Sequence, residues 1–411
     1  MPTTHADRIH AHLAQLAAAG LNAQAFADAA LGLMVRAVPF GSACMATADP
    51  ATLILTGTTK WGELGNASDT EWARFEYEVP DVYDFRDVAD RPGQVTSLRV
   101  ETADLPERSA RFARFLHPTW GFNDELRAAL RADDGNIWGY LALYRSDTTP
   151  FSLADQHFIS TLAPLLAVGL RAGLVTAAAS SGPLDTTVVL IIDTDGQISQ
   201  SSPGTEELAA DLGAGPLDRS LLPVALRSLV DAARTAHTSG QAAVPRARLR
   251  TASGRWLVAH AAPLRSRDGA GSDVVVTVEE ARPPEIVPLV VAAFGLTPRE
   301  QDVVRLVLQG VGTAQIASTL HLSAYTVQDH LKTVFDKTGV RSRRELTAKV
   351  FYDQYAPRIG SPLAPSGWFA PAATPEHLTT AGVPEGYRGQ VACAHGSAGA
   401  RAGPTVPNRS G

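Results

Sequence analysis

Four polar side chains recur at helical spacing within the stretch LSAYTVQDHLKTVFDKT (322–338): Tyr325, Gln328, Asp329 and Lys332. Residues three and four positions apart share one face of an α-helix, so the four side chains would form a single edge. The opposite side of the same helix is apolar. A helix with one apolar side and one such polar edge is predicted to pack inward and to meet another macromolecule outward.

The flanking sequence predicts the elements that would position this edge. TPRE (297–300) is typical of a helix start, with threonine as cap, proline at the first helical position and glutamate reaching back. A second, short helix is expected from Thr313, and Ser323 would cap the third helix after the tight turn HLS (321–323). SRRE (342–345) predicts a capping box that opens a fourth helix. Two short helices, a turn and a third helix with a polar outer face indicate a helix-turn-helix.

The charge of the chain is unevenly distributed. The whole sequence has a net charge of −6, but eight basic and five acidic residues lie between Phe294 and Phe351, which gives +3 there and −9 elsewhere. Only this segment has the sign that a phosphate backbone attracts.

The motifs of this segment are specific. They comprise L-T-P-R-E, Q-G, the I-A of the second helix, L-S-x-x-T-V-x-x-H and G-V-x-S-R, and they run without a gap through residues 296–346. This stretch resembles the DNA-binding domain of the LuxR/GerE family of bacterial regulators. The resemblance implies a one-component, signal-responsive transcription regulator whose helix 323–338 lies in the major groove of double-stranded DNA. The alternative is a protein–protein adaptor that has kept the helical domain without DNA readout.

The resemblance places Gln328, Asp329 and Lys332 at base edges. The side-chain amide of Gln328 can form two hydrogen bonds with adenine, and Lys332 can donate a hydrogen bond to guanine or to phosphate. Asp329 departs from the basic or neutral residues usual here; a carboxylate can accept from the amino group of cytosine but repels nearby phosphates. Such a residue would weaken non-specific binding and sharpen sequence choice, or would pair with Lys332 or Tyr325. A solvated charge on the helix surface is the open alternative.

Contacts to the DNA backbone are expected from a second set of side chains, together with helix N-terminal amides. The set comprises Thr313, Ser323, Tyr325, Lys337, Arg341 and Arg343. Because one copy with a charge of only +3 should bind weakly, we expect a homodimer on paired half-sites. RNA polymerase is a further candidate partner.

Two α+β units are expected before this segment. The first, residues 10–175, ends in GNIWGYLALYR, FSLAD and LAPLL, and resembles the end of a GAF sensory domain. The second, residues 183–280, contains VVLIIDTDGQI and RWLVAHAAPL and resembles a PAS domain. Both resemblances imply helices on one face of an antiparallel sheet, with a small-molecule pocket in many cases.

The predicted fold class is therefore multidomain, with two α+β (GAF-like, PAS-like) sensory domains followed by an all-α four-helix helix-turn-helix domain. The helix-turn-helix domain is expected at 295–352 and a connector at 281–294. A small-residue linker is expected at 176–185, and a disordered tail rich in proline, glycine, alanine and serine at 360–411.

A small-molecule ligand in the first unit would have aromatic candidates for its pocket: Trp61, Trp72, Phe75, Tyr77, Trp120, Phe122 and Trp138. Plain core packing is the competing interpretation, because aromatic side chains fill cores first. Acidic residues are interleaved with them and could meet a cationic ligand or form a solvated face: Glu76, Glu78, Asp81, Asp84 and Asp87.

Several absent patterns narrow the function. The N-terminus has no apolar signal region, and the longest apolar run, LAPLLAVGL (162–170), is too short to span a bilayer, so a cytoplasmic protein without membrane contact is expected. Cys44 and Cys393 give neither a disulfide framework nor metal spacing. No phosphate-binding loop, phospho-receiver pattern or catalytic motif is present. We therefore expect no enzyme, cofactor or metal; an enzyme with a regulatory tail is the competing class that these absences disfavour.

Overall fold

A computed structural model describes residues 5–64, 69–176, 187–213, 222–238, 244–265 and 273–355. The tail predicted at 360–411 and nearly all of the linker predicted at 176–185 lie outside the described residues. Three parts follow one another along the chain: an N-terminal unit (5–176), a central unit (187–280) and, after a connecting helix, a helical unit (295–355).

The N-terminal unit is an antiparallel five-stranded sheet of order β2-β1-β5-β4-β3 with helices on both faces. Its elements are α1 (His5–Ala18), α2 (Ala23–Met34), β1 (Ser42–Ala48), β2 (Leu55–Trp61), α3 (Asp69–Tyr77), α4 (Phe85–Asp90), β3 (Val95–Ser97), α5 (Leu98–Thr102), α6 (His117–Trp120), β4 (Asp124–Arg131), β5 (Ile137–Arg145) and α7 (Leu153–Val175). The expectation of helices on only one face is wrong here. Nearly every residue of β4 and β5 is buried, so both faces of the sheet need cover.

Local signals explain where several of these elements begin. Strand β1 runs directly from the buried Ser42. Strand β2 starts only at Leu55, because a turn held by the Asp49 carboxylate and a left-handed Leu53 occupies the residues before it. Ser152 and Asp155 form a capping box at the start of α7.

Helix α7 is, among the described residues, the one helix long and apolar enough by length and composition to cross a membrane. Its stripe of Leu162, Leu166 and Leu170 is buried in the core between the sheet and helices α1 and α2. Core packing accounts for the apolar character of this helix.

The central unit is a second antiparallel five-stranded sheet, of order β7-β6-β10-β9-β8. Its elements are β6 (Val188–Ile192), β7 (Ile198–Ser201), α8 (Thr205–Asp211), α9 (Val224–Thr238), β8 (Arg246–Arg250), β9 (Trp256–Pro263) and β10 (Val274–Glu280). Alternate residues of β6, β8 and β10 are buried, and these pack against α8 and α9. On the opposite face, Trp256 and Val258 join the core of the N-terminal unit.

Polar contacts also join the two units. Arg248 forms a bidentate pair with Asp49, with Nη2–Oδ1 and Nε–Oδ2 distances of 2.6 and 2.9 Å. Helix α9 packs on α3, where Arg234 lies 3.1 Å from Glu78. The N-terminal and central units, which follow each other in the sequence, therefore also share a packed interface.

The predicted connector is a helix, α10 (Pro283–Ala293), with two apolar sides. Ile286, Leu289, Val290 and Ala293 recur at helical spacing and pack into the core of the N-terminal unit. Val291 packs on another side into the core of the helical unit. The helical unit consists of α11 (Pro298–Leu308), α12 (Thr313–Leu320), α13 (Ala324–Thr338) and α14 (Arg343–Tyr355).

Candidate nucleic-acid interface

Helix α11 begins as its sequence predicts. The Thr297 hydroxyl accepts from the Glu300 amide at 3.3 Å, and the Glu300 carboxylate accepts from the Thr297 amide at 2.8 Å. Lys337 Nζ, from α13, donates to the same carboxylate at 2.7 Å. Burial by itself would raise the pKa of Glu300, but the hydrogen bonds from Lys337 and Thr297 hold that pKa below its usual value.

The turn between α12 and α13 is tight because His321 adopts a left-handed conformation, with φ of +53°. This conformation lets the Leu322 amide donate back to the Ala317 carbonyl at 2.8 Å. Ser323 then caps α13 by accepting from the Thr326 amide at 3.0 Å. Arg299 of α11 donates to the Leu320 carbonyl at 2.5 Å, which fixes the end of α12 against α11.

The core of the helical unit holds α13 by one side only. Val327, Leu331 and Val334 are at most 2% exposed and pack against residues of α11, α12 and α14. The opposite side carries the four polar residues predicted from spacing, which we call the recognition face: Tyr325, Gln328, Asp329 and Lys332. All four are exposed, and Tyr325 is 76% exposed, so no described residue of the N-terminal or central unit covers this face.

The side chain of Asp329 has no partner on this face among the described residues. Within the described part of the chain its carboxylate forms no ion pair or hydrogen bond, and only its backbone carbonyl is engaged, by Thr333. The pairing with Lys332 or Tyr325 that the sequence left open is therefore not formed. A carboxylate in this state can accept a hydrogen bond from an incoming group.

The residues predicted to contact the DNA backbone fall into two sets. Tyr325 and Arg341 are exposed. Arg343 donates to the Val311 carbonyl at 2.9 Å and to the Thr313 hydroxyl at 2.8 Å, so these two side chains tie α14 to the start of α12.

Lys337 and Ser323 belong to the engaged set as well. Besides its pair with Glu300, the Lys337 ammonium donates to the Gly295 carbonyl at 3.2 Å. The Ser323 hydroxyl is occupied as the helix cap. A phosphate would have to compete with these internal partners, whereas the side chains of Tyr325 and Arg341 are exposed and have no hydrogen-bond partner among the described residues.

The aromatic residues predicted as a ligand pocket lie on two sides of the first sheet. Five of them pack on the α3 side: Trp72, Phe75, Tyr77, Trp120 and Phe122. Trp61 and Trp138 lie on the other side, with α2 and α7. The structure therefore does not gather the seven around one pocket, because an intervening sheet separates them.

On the α3 side these aromatic rings are in close contact with one another. Phe75 stacks on Phe115 with ring centroids 5.5 Å apart, and Phe122 stacks on Tyr144 at 4.7 Å. The Trp72 indole donates to the Tyr144 hydroxyl at 3.2 Å. Packing of this kind is that of a core.

The acidic residues interleaved with these aromatic residues form ion pairs with buried arginines, which the sequence did not predict. Glu76 lies 2.7 Å from Arg127, and Glu125 binds both Arg127 and Arg111, at 3.0 and 2.8 Å. Asp81 also pairs with Arg111, at 3.2 Å. Burial raises the pKa of Glu76; it would also raise that of Glu125, but the two guanidinium groups lower the pKa of Glu125 to about 2. The sequence carried one signal of these ion pairs, namely the arginine in the middle of an otherwise apolar strand in ELRAALR (125–131).

The turn between α12 and α13 and the polar outer face of α13 are together the arrangement of a helix-turn-helix protein of the nucleic-acid-binding class. The profile described as "Bacterial regulatory proteins, luxR family" matches residues 295–350. The spore germination protein GerE of Bacillus subtilis is 36% identical over 55 residues, which are 13% of this chain and 74% of GerE. The chain belongs to the luxR family of bacterial regulatory proteins.

A longer relative matches a similarly short stretch. A Mycobacterium bovis protein named as an HTH-type transcriptional regulator is 46% identical over 67 residues, 16% of this chain, and the chain spans only 7% of the length of that relative. Among solved structures, the Vibrio cholera VqmA–ligand–DNA complex is 20% identical, with a TM-score of 0.22 over 41% of this chain and 83% of that chain. The phage VqmA–DPO complex has the same identity and TM-score, over 41% and 82%.

Proposed function

We propose that the protein is a sequence-specific, DNA-binding transcription regulator that reads the major groove with α13. The observation that supports this most directly is the open recognition face of a luxR-family helix-turn-helix. The short matches to GerE and to a protein named as an HTH-type transcriptional regulator are consistent with it. In this proposal the protein is cytoplasmic and not an enzyme.

Base readout is assigned to Gln328, Asp329 and Lys332. Gln328 offers an amide that can bond to both adenine groups in the groove, and Lys332 donates to guanine or phosphate. The unpaired carboxylate of Asp329 accepts from a cytosine amino group. Since it also repels phosphates, it penalises every site that lacks a cytosine in register.

Backbone contacts are assigned first to Tyr325 and Arg341, which are exposed. Thr313, Ser323, Lys337 and Arg343 remain proposed contacts that either exchange an internal partner for phosphate or act by holding the helices in place. Because the net charge of the helical unit is small, stable binding requires a homodimer on two half-sites. RNA polymerase is a further proposed partner.

The N-terminal and central units are proposed to be GAF-like and PAS-like sensors that make the regulator signal-responsive. Helix α10 supports a mechanical link, since it packs at once on the N-terminal core and on the helical core. A signal that shifts the first unit against the second would move α10 and with it the helical unit, which is a population shift between two arrangements.

Salt dependence separates this proposal from the adaptor alternative. We expect the affinity of the full chain for a fluorescent duplex to fall linearly with salt on a double-logarithmic plot, with a slope of about −0.9 per neutralised phosphate. Arg341→Gln should make that slope shallower by about 1. The matched control is Arg305→Gln, since Arg305 is also exposed but already pairs with Asp302 at 3.0 Å on α11. Salt-independent binding, or no binding at low salt, would support the adaptor instead.

A further inference from the structure

A cavity of about 740 Å³ lies where the N-terminal unit, the central unit and α10 meet. Its described walls include Met45 of β1, Leu170 of α7, Leu222 before α9 and Leu289 of α10. Small-molecule sites typically have volumes of about 300–1,000 Å³ and mostly apolar walls with a few polar groups. The cavity is thus large enough for a ligand and touches both α7 and α10, of which α10 leads directly to the helical unit.

Strand β8 carries three arginines on one face, and they differ in their partners. Arg246 Nη2 lies 2.5 Å from Glu285 of α10. Arg248 pairs with Asp49, as described above. Arg250 has no carboxylate partner within the described residues; it donates to the carbonyls of Leu174 and Thr176 at the end of α7. Among the three, only Arg250 has a positive charge that no acid neutralises.

The other charged groups on the cavity wall are mostly neutralised in pairs. Lys60 pairs with Asp69, Arg248 with Asp49, and Asp211 with Arg255, while Asp28 lies at the exposed rim. Burial lowers the pKa of Arg250 to about 10, so this side chain stays protonated at neutral pH. The cavity therefore combines a mixed wall, with apolar side chains and several threonines, with one cation that no acid among the described residues neutralises.

We propose that this cavity binds a small organic acid, with the carboxylate on Arg250 and a compact apolar body against Leu170, Leu222 and Leu289. A guanidinium has more N–H donors than the two α7 carbonyls occupy, and its planar geometry matches a carboxylate. A bound acid would contact α7 and α10 together and so fix their relation. That regulatory meaning rests on the proposed function; the binding itself does not.

The test is calorimetric titration of the full-length protein with octanoate, beside octylamine, which has the same chain length and the opposite charge. We expect octanoate to saturate one site and octylamine to give no saturable signal. Arg250→Gln should weaken octanoate binding about tenfold or more, equivalent to about 1.4 kcal/mol. The matched control is Arg246→Gln, on the same face of the same strand but with its own carboxylate and outside the cavity wall; it should bind as the wild type does.

A second variant keeps the proposal testable if Arg250→Gln fails to fold, which thermal melting would reveal. Thr58→Phe places a ring into the cavity from a half-buried position on β2 and leaves Arg250 intact, so it should abolish octanoate binding. Absence of saturable octanoate binding below about 10 mM overturns the proposal, as does equal weakening by both arginine substitutions. Because no DNA enters the titration, these results are independent of whether the protein regulates transcription.

Discussion

Asp329 gives the recognition face of α13 its unusual chemistry at the level of single residues. Its carboxylate is exposed and has no partner within the described residues, although Lys332 follows one turn later. A face made only of cations would bind any duplex, whereas an unpaired carboxylate must be matched by a donor on a base. The proposed consequence is lower general affinity with higher selectivity.

Arg343 has a structural role that can be separated from DNA contact. Replacing it by alanine removes the bonds to the Val311 carbonyl and Thr313 hydroxyl, and hydrogen bonds from charged groups contribute about 1.5–3 kcal/mol each. We expect Arg343→Ala to accelerate hydrogen exchange of the α12 amides about tenfold or more. Arg344→Ala, which removes an exposed neighbour of the same charge, should leave that exchange unchanged. Equal effects of the two would show that Arg343 does not brace α12.

Asp231 predicts how stability depends on pH. It is 1% exposed on α9, near Glu78, Arg227 and Arg234; burial, then the charge of Glu78, raises its pKa from 3.8 to about 8. Because the folded state holds this proton more tightly than the unfolded state, the free energy of unfolding should fall as pH rises from the ordinary pKa toward about 8, and then level off.

Thermal unfolding measured between about pH 5 and about pH 8 checks this expectation. Asp231→Asn, which mimics the protonated acid, should remove most of the fall. Asp195→Asn, at an exposed turn, should keep it. An unchanged profile in Asp231→Asn would contradict the assigned role.

Residue-level features differed in how far the sequence could anticipate them. The recognition face and the caps at Thr297 and Ser323 were predictable because each depends on neighbours within one helical turn. The Arg127–Glu76 pair joins residues 51 positions apart, and no local pattern reports which acid meets which arginine. The placement of the aromatic candidates likewise depended on which face of the sheet each residue occupies.

Helix α10 is the element whose structure least follows from local sequence. Two prolines open it and another lies inside it, and the sequence predicts the segment only as a connector. It is helical because its two apolar sides each meet a core, one shared with α7 and Trp256 and one in the helical unit. Tertiary packing here outweighs weak helix propensity.

Ile286→Ala should loosen α10 from the N-terminal core. Removing a buried isoleucine side chain costs about 2–5 kcal/mol, and Ile286 is 2% exposed. We expect faster hydrogen exchange of the Leu289 and Val290 amides in this helix. Leu153→Ala, a comparable truncation at a 76% exposed site, should leave that exchange unchanged. If these amides exchange no faster in Ile286→Ala than in the wild type, α10 is not held by this core.

At the scale of the whole molecule, the two sheets, the connecting helix and the helical unit form a continuous series of packed cores. The recognition face lies outside all of them. Within the described residues no segment covers this face, and control in the proposed regulator would therefore act through the geometry of the proposed dimer. The proposed acid-binding cavity lies at the junction where such geometry would be set.

The most direct measurement is selection of bound duplexes from a random-sequence DNA pool by the full-length protein and by Asp329→Ala, with Asp302→Ala as a control of equal charge change outside α13. The account predicts a two-fold-related motif for the wild type and Asp302→Ala, and loss of preference at one base pair per half-site in Asp329→Ala. Each lost base preference corresponds to about 1–3 kcal/mol of discrimination. Failure of all three proteins to enrich any sequence, with or without octanoate, would contradict the central claim that α13 reads DNA.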